Sequence, residues 1–303
     1  MSQLAIGVDI GGGSIKAGLY NRKGAELIHQ VVATPVHLTN DTFLEAVFQS
    51  IEPLLHHPGI LGIGIGSPGP LDNERGILIE SANMPSLKHV PIKEYCNQKF
   101  NLPIFYENDA NCAALGEAVF GEYKHLSSLL ILTLGTGIGG GFVDRGVLFS
   151  GYQGNGIEIG HMTAVINGAV CGCGQRGCLE TYFSTKGLIA RYLEKTNQTL
   201  LDAKEFFDQV ESKNPIALEI LNFGILAMAE TVRSAIHLLN PEGVIFVGGI
   251  TSAWHLFGDR LQQMIRERIF TVLNDRLIIA KGGNLAGSLG AASLVFQGQL
   301  NDR

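Results

Sequence analysis

The 303-residue chain reads as an α/β protein. Three observations predict this class. Strand patterns alternate with helical ones from end to end, glycine clusters follow several of the strands, and a strand–glycine-turn–hairpin unit occurs twice. Hydrophobic residues make up 46% and charged residues 17%, a mixture that buries a core and excludes disorder. Glycine is 39 of the 303 residues. That is about 13% against a usual ~7%, and it is clustered rather than periodic, which excludes a collagen-like chain. The length suggests about two domains.

The elements follow in order. Leu4, Ile6 and Val8 alternate with small residues, Gly11-Gly12-Gly13 breaks the run, and Ile15 to Tyr20 resumes it. Asn21-Arg22-Lys23-Gly24 then reads as a hairpin turn, so residues 3–33 are three strands. Phe43, Val47, Ile51, Leu54 and Leu55 lie at helical spacing and predict a helix over 41–55. Residues 60–66 are a buried strand ending in Ser67-Pro68-Gly69-Pro70. A helix over 91–100, a strand over 103–106 and a helix from about Ala110 to Phe120 come next. Residues 128–150 repeat the opening: a strand LLILTL, a turn over Gly135–Gly141 and a second hairpin. Two such units predict two related halves. Residues 186–240 are mostly helical. A strand Val244–Val247, a helix over 252–270, a strand over 276–281 and a helix over 287–296 close the chain.

Charge and cysteine usage narrow the setting. Lys+Arg is 22 and Asp+Glu is 28, for a net charge of −6, which lacks the electrostatic footprint of a nucleic-acid binder. The opening residues hold no basic stretch and no long apolar run, so they do not read as a secretory signal. No run approaches ~18 apolar residues, and no membrane span is expected. Five cysteines, three of them within Cys171–Cys178, argue against a disulfide framework and for the cytoplasm.

Several motifs carry chemistry. In Asp9-Ile-Gly11-Gly12-Gly13-Ser14-Ile-Lys16, backbone N–H groups of a glycine turn can approach phosphate oxygens closely, Lys16 adds a positive charge, and Asp9 can hold magnesium through water. Taken alone, the stretch is equally a plain tight hairpin. Gly135-Thr136-Gly137-Ile-Gly-Gly140 matches G-x-G-x-x-G, but a hairpin follows where a dinucleotide fingerprint needs a helix. It reads as a second phosphate cradle with Thr136 as an extra donor. Gly248-Gly249 after a strand suits the flat approach of an adenosine, or is a simple strand-to-helix turn. Asn108-Asp109 ends a strand, where ligands of α/β sheets gather. Asp109 there is either a base for a substrate hydroxyl or a helix cap. His161, Cys171, Cys173 and Cys178 form H-x9-C-x-C-x4-C, which completes a tetrahedral, structural zinc site with no open position. Glu158, His161 and Glu180 bracket that cluster and suit sugar hydroxyls as acceptors and donors, and Asn83 adds a polar loop residue. Each of these alone is also an ordinary solvated side chain. Cys96 and Cys112 read as ordinary helix residues.

Together these pieces resemble the ROK family of sugar kinases and repressors, within the actin-like hexokinase ATPase superfamily. The most specific parts are Glu158-Ile-Gly-His161 and Cys171-Gly-Cys-Gly-Gln-Arg-Gly-Cys-Leu-Glu180, similar to the family's E-x-G-H and C-x-C-G-x-x-G-C-x-E patterns. Gly62-Ile-Gly-Ile-Gly-Ser-Pro-Gly69 and Glu107-Asn-Asp109 are similar to two further family segments. The resemblance implies two actin-like (ribonuclease H-like) α/β domains with an interdomain cleft, here expected over 1–117 plus 285–303 and over 118–284. It implies transfer of the ATP γ-phosphoryl group, with magnesium, to a hexose 6-hydroxyl. Glucose is the first choice; N-acetylmannosamine, N-acetylglucosamine, fructose and allose are used by similar proteins. Asp109 is then the base, and Asn83, Asn108, Asp109, Glu158, His161 and Glu180 hold the sugar. Asp9, Gly11–Ser14, Lys16, Gly135–Gly137, Gly248 and Gly249 hold the nucleotide, and His161 with the three cysteines binds zinc. A homodimer is common among similar proteins, and neither nucleic acid nor membrane is an expected partner. The family usually has threonine where Gly13 stands, and polyphosphate-using relatives vary this turn. The alternative is a sugar-responsive repressor or a non-catalytic sensor. The repressors carry a helix-turn-helix domain ahead of the kinase-like part, and here the first phosphate strand starts at about Leu4.

Overall fold

The computed structural model describes residues 3–81, 84–283 and 285–301, the last three as backbone. In chain order the elements are β1 (Leu4–Ile10), β2 (Ser14–Asn21), β3 (Glu26–Ala33), α1 (Asn40–Ile51), β4 (Ile60–Ser67), β5 (Leu71–Asp72), β6 (Ile77–Glu80), β7 (Lys88–Val90), α2 (Ile92–Lys99), β8 (Ile104–Asn108) and α3 (Asp109–Phe120). Then come β9 (Ser128–Leu134), β10 (Ile138–Asp144), β11 (Val147–Phe149), α4 (Glu180–Phe183), α5 (Thr185–Thr196), α6 (Ala203–Glu211) and α7 (Pro215–Leu239). The chain closes with β12 (Gly243–Val247), α8 (Trp254–Arg266), α9 (Thr271–Asn274), β13 (Ile278–Lys281) and α10 (Gly287–Asn301).

The two glycine-turn hairpins do begin two similar sheets. One has the order β3-β2-β1-β4-β8, the other β11-β10-β9-β12-β13. In the first, β1 pairs antiparallel with β2 and parallel with β4, which pairs parallel with β8. In the second, β9, β12 and β13 run parallel and β10–β11 is a hairpin. The chain divides into two compact units, 1–125 with 141–157 and 285–303, and 126–140 with 158–284. The boundary thus falls at 125/126, where the sequence suggested 117/118, and residues 141–157 group with the first unit.

In the first unit, α10 lies directly on β1 and β4. Gly7 and Gly64 pair across those strands, and a Cβ on either would fall 1.7 Å from the Ser288 carbonyl oxygen or 1.9 Å from that of Ala291. The glycines let helix backbone meet strand backbone, which is why the last helix belongs with the first strands. Ile6, Val8, Phe43, Val47, Ile63 and Ile65 fill the core on the sheet's other face. A small antiparallel sheet, β5-β6-β7, sits in the same unit. Its strands are two to four residues long, too short for alternation to register.

Boundaries shift by capping and proline. The helix expected over 41–55 ends at Ile51, and a 3₁₀ turn over Glu52–Leu54 carries Pro53, whose missing N–H suits a first helical turn. The helix expected over 252–270 is a 3₁₀ turn, Gly249–Ala253, followed by α8. By length and composition α7 could cross a membrane, at a mean hydropathy of 1.4. Its Ile220, Leu221, Ile225, Met228, Val232 and Ile236 are buried, and it packs on α4, α5, α6 and α8 as the core helix of the second unit.

Candidate active site

In the first unit, Asp9 near the end of β1 faces Lys16 across the first hairpin. The Gly11 N–H donates to the Ser14 carbonyl at 2.9 Å. Thr34 braces the same turn: its N–H donates to the Gly13 carbonyl at 3.2 Å and its hydroxyl to that of Gly11 at 3.0 Å. Gly12, Gly13 and Lys16 are exposed. A Cβ on Gly13 meets nothing within 4 Å, so the fold itself does not demand glycine there. Burial raises the Asp9 pKa above 3.8, with Lys16 opposing.

The Asn108-Asp109 pair lies at the carboxyl end of β8 and the start of α3. Asn108 is the cap: its Oδ1 accepts from the N–H of Ala110 at 2.8 Å and of Asn111 at 3.3 Å. Capping, the other role open to Asp109, is therefore filled by its neighbour. Asp109 Oδ1 also accepts from the Ala110 N–H, at 2.8 Å, which places the carboxylate in the first turn of α3, where the helix dipole favours negative charge. Before the pair stands Glu107, 4% exposed. It accepts from the Asn108 N–H (2.9 Å), Asn111 Nδ2 (3.1 Å), Asn73 Nδ2 (3.0 Å) and Ser150 Oγ (2.6 Å). Sequence reasoning passed over Glu107 and Thr34, because no local spacing marks partners this far apart. Asn83 lies outside the described residues.

In the second unit, the Gly135–Gly137 turn is closed by the Gly135 N–H on the Gly137 carbonyl, 3.0 Å. The Thr185 N–H, opening α5, donates to the Gly135 carbonyl at 2.9 Å. Glu180 Oε2 accepts from the Ile138 N–H at 2.9 Å, so one of its oxygens braces this turn. The strand β10 follows the turn, as the hairpin reading expects. Gly248 has φ of 99°, and a Cβ there would fall 2.5 Å from the Leu134 carbonyl oxygen. Glu158, His161 and Glu180 are electrostatic neighbours: burial raises the Glu158 pKa, His161 opposes this and the Glu180 charge adds to it.

The metal cluster also forms. The ligand atoms of His161, Cys171, Cys173 and Cys178 lie within 4.8 Å of one another. His161 Nδ1 is 3.6 Å from Cys171 Sγ, and Cys173 and Cys178 Sγ are 3.7 Å apart. Tetrahedral zinc, at Zn–S ~2.3 Å and Zn–N ~2.0–2.1 Å, sets S···S near ~3.8 Å and S···N near ~3.5 Å; these two distances match, and the donors are of the type zinc takes. The backbone makes the knuckle: the Cys171 N–H donates to the Gln175 carbonyl at 2.8 Å, and Gly177 takes φ of 78° with Val165 O where a Cβ would sit, at 1.7 Å. Burial pushes the Cys178 thiol up to about 12 and raises Cys171 too, whereas a coordinated thiol is deprotonated outright. Cys96 and Cys112 are buried in α2 and α3.

Two like-ordered sheets, each opening on a glycine-turn hairpin, define an actin-like α/β protein of two units. Comparison with known proteins narrows this. The ROK family profile matches residues 5–298, and the chain belongs to the ROK family. The glucokinase of Thermotoga maritima is 35% identical over 306 residues, covering 96% of this chain and 96% of its own. The xylose repressor of Caldicellulosiruptor bescii is 30% identical, covering 98% of this chain and 79% of its own. Among solved structures, a ROK family glucokinase from Streptomyces griseus in complex with glucose and AMPPNP aligns with a TM-score of 0.82 at 29% identity, covering 97% of this chain and 99% of that one.

Proposed function

We propose that this protein is an ATP-dependent hexose kinase acting at the sugar 6-hydroxyl, with glucose the first substrate to try. The observation that carries this reading is Asp109. Its carboxylate stands at the carboxyl end of a parallel strand, relieved of capping by Asn108, in a unit that also carries an exposed glycine turn between Asp9 and Lys16. Asp109 takes the proton of the 6-hydroxyl. The hydroxyl oxygen bonds to the γ-phosphorus as the bond to the bridging β,γ-oxygen breaks, and ADP leaves. Such transfer rests on positioning and charge stabilisation rather than covalent catalysis. The turns Gly11–Ser14 and Gly135–Gly137 hold phosphate oxygens through the N–H groups other than those of Gly11 and Gly135, which close the turns, together with Lys16 and Thr136, and Gly248-Gly249 takes the adenosine. Magnesium bound with ATP neutralises phosphate charge, and Asp9 is the carboxylate suited to hold it through water.

Asn83, Asn108, Glu158, His161 and Glu180 hold the sugar hydroxyls. With Nδ1 on zinc, the His161 ring is fixed and its Nε2 directed elsewhere. Zinc on His161, Cys171, Cys173 and Cys178 pins the 161–180 segment; four ligands leave no position for a reactive water. A cytoplasmic homodimer completes the reading.

The second reading, a sugar-responsive regulator, is favoured by the likeness to the xylose repressor. Coupled ADP release over a panel of hexoses, first with ATP and then with polyphosphate as donor, separates the two. Sugar-dependent turnover is expected with ATP. Sugar binding with no ADP release from any hexose would establish the regulator.

A further inference from the structure

We infer that Glu107 is a positioning residue, whose two carboxylate oxygens hold the base turn and the strap before Glu158 in one fixed register. The inference rests on the kinase reading above. Oε1 accepts only from the base turn: the Asn108 N–H on one side of Asp109 and the Asn111 amide on the other. Oε2 accepts from Ser150 and Asn73. Ser150 begins the strap, residues 150–157, which runs into Glu158. Asn73 grips the strap's middle, its N–H donating to the Gln153 carbonyl at 3.2 Å. One planar group therefore ties the segment that bears the base to the segment that feeds the sugar-binding motif.

A carboxyl group suits this position by its count of acceptor sites. All four partners donate, and a carboxylate offers acceptor sites for four donors. A glutamine keeps one oxygen and presents an NH₂ group to the other pair; the Ser150 hydroxyl can turn to accept from it, whereas the Asn108 N–H cannot, so the remaining oxygen would face the base turn. The Asn111 amide has no other anchor among the described residues, its Oδ1 being buried without a partner, so Glu107 sets its orientation. The strap needs such a hold because its backbone is costly. Gln153 and Ile157 both have positive φ, 54° and 58°, and Ile157 is β-branched, for which this region is a genuine outlier. Such conformations persist where surrounding bonds over-determine them. Asn155 supplies further bonds, accepting from the Leu71 N–H at 3.0 Å and donating to its carbonyl at 2.7 Å.

The two oxygens predict a split that loss of stability alone does not produce. Asn111→Ala, on the base side, should lower kcat about 10- to 100-fold, the scale of a misplaced catalytic group, with sugar KM within about twofold. Ser150→Ala, on the strap side, should raise sugar KM several-fold and leave kcat within about threefold. Glu107→Ala, which removes both oxygens, should do both and leave ATP KM unchanged. Because Glu107 acts on kcat through the base, adding Glu107→Ala to Asp109→Asn should cost no further kcat. Steady-state ADP release with glucose and ATP reads all of these, and Asn111→Ala and Ser150→Ala carry the test if Glu107→Ala does not fold. The inference is overturned if Asn111→Ala and Ser150→Ala change kcat and sugar KM alike, or if the Glu107 and Asp109 losses multiply. A wild-type protein that turns over no hexose would remove the kinase reading and this inference with it. Activity without the split removes only the inference.

Discussion

Replacing Asp109 with asparagine isolates the base from the fold. The cap of α3 belongs to Asn108, whose Oδ1 takes the Ala110 and Asn111 N–H groups. Asparagine at 109 keeps an Oδ1 that can accept from the Ala110 N–H, the bond Asp109 makes at 2.8 Å. Helix start, cap and side-chain volume are thus retained, and a thermal melt reads the cost to any other contact the carboxylate makes. What is lost is the ability to take a proton. Positioned general bases contribute ~10²–10⁴ in rate, or about 2.7–5.5 kcal/mol of barrier at ~1.36 kcal/mol per decade. Asp109→Asn should therefore lower kcat by that factor while sugar affinity stays near wild type. The assay is coupled ADP release with glucose, beside sugar titration by calorimetry and a thermal melt. Turnover within tenfold of wild type would place the base elsewhere. A large fall in melting temperature together with lost sugar binding would show that the carboxylate holds structure instead.

Three further perturbations test other parts of the site. Asp9 has a raised pKa from burial, so its contribution to stability is complete below 3.8, where both states are protonated, and is lost as pH rises through the raised folded value. Asp9→Asn cannot ionise. It should melt higher than wild type at pH 7, with the gap closing near pH 4, and should raise ATP KM; a variant less stable at both pH values refutes the argument. Cys173→Ser should reduce zinc content by atomic absorption, lower the melting temperature and raise sugar KM more than ATP KM. Zinc-free protein with unchanged sugar KM would detach the metal from the sugar site. Gly13→Thr should leave stability within about 0.5 kcal/mol, because its Cβ meets nothing, and should lower ATP KM by adding a hydroxyl to the phosphate turn. A folded variant with weaker ATP binding would mean that the turn needs the bare backbone.

Much of this site is legible in the chain because its signals are local. A cluster of three cysteines and a histidine within 18 positions, and glycines just after apolar strands, report geometry within one turn or one knuckle. The small sheet of β5, β6 and β7 escaped because strands of two to four residues show no period. Asp109 and Asn108 are both good caps by residue type, and only their backbone angles decided between them. At Asn108, φ of −64° and ψ of 144° are extended, as a cap requires. Glu180 is marked by sequence as a sugar ligand, but its hold on the Ile138 N–H, 42 positions away, has no local trace.

The sequence by itself determined the α/β class, the duplicated hairpins and the candidate zinc ligands, since each follows from residue periodicity or spacing along a short stretch. The tertiary structure alone decided which polar groups meet. Glu107 collects donors 34 and 43 positions away, and Gly7 and Gly64 are glycine because a helix more than two hundred residues downstream lies on them. The physical reason is that a buried carboxylate or a bare Cα is satisfied by whatever the fold brings within about 3 Å, and that distance is set by packing rather than by neighbours in the chain.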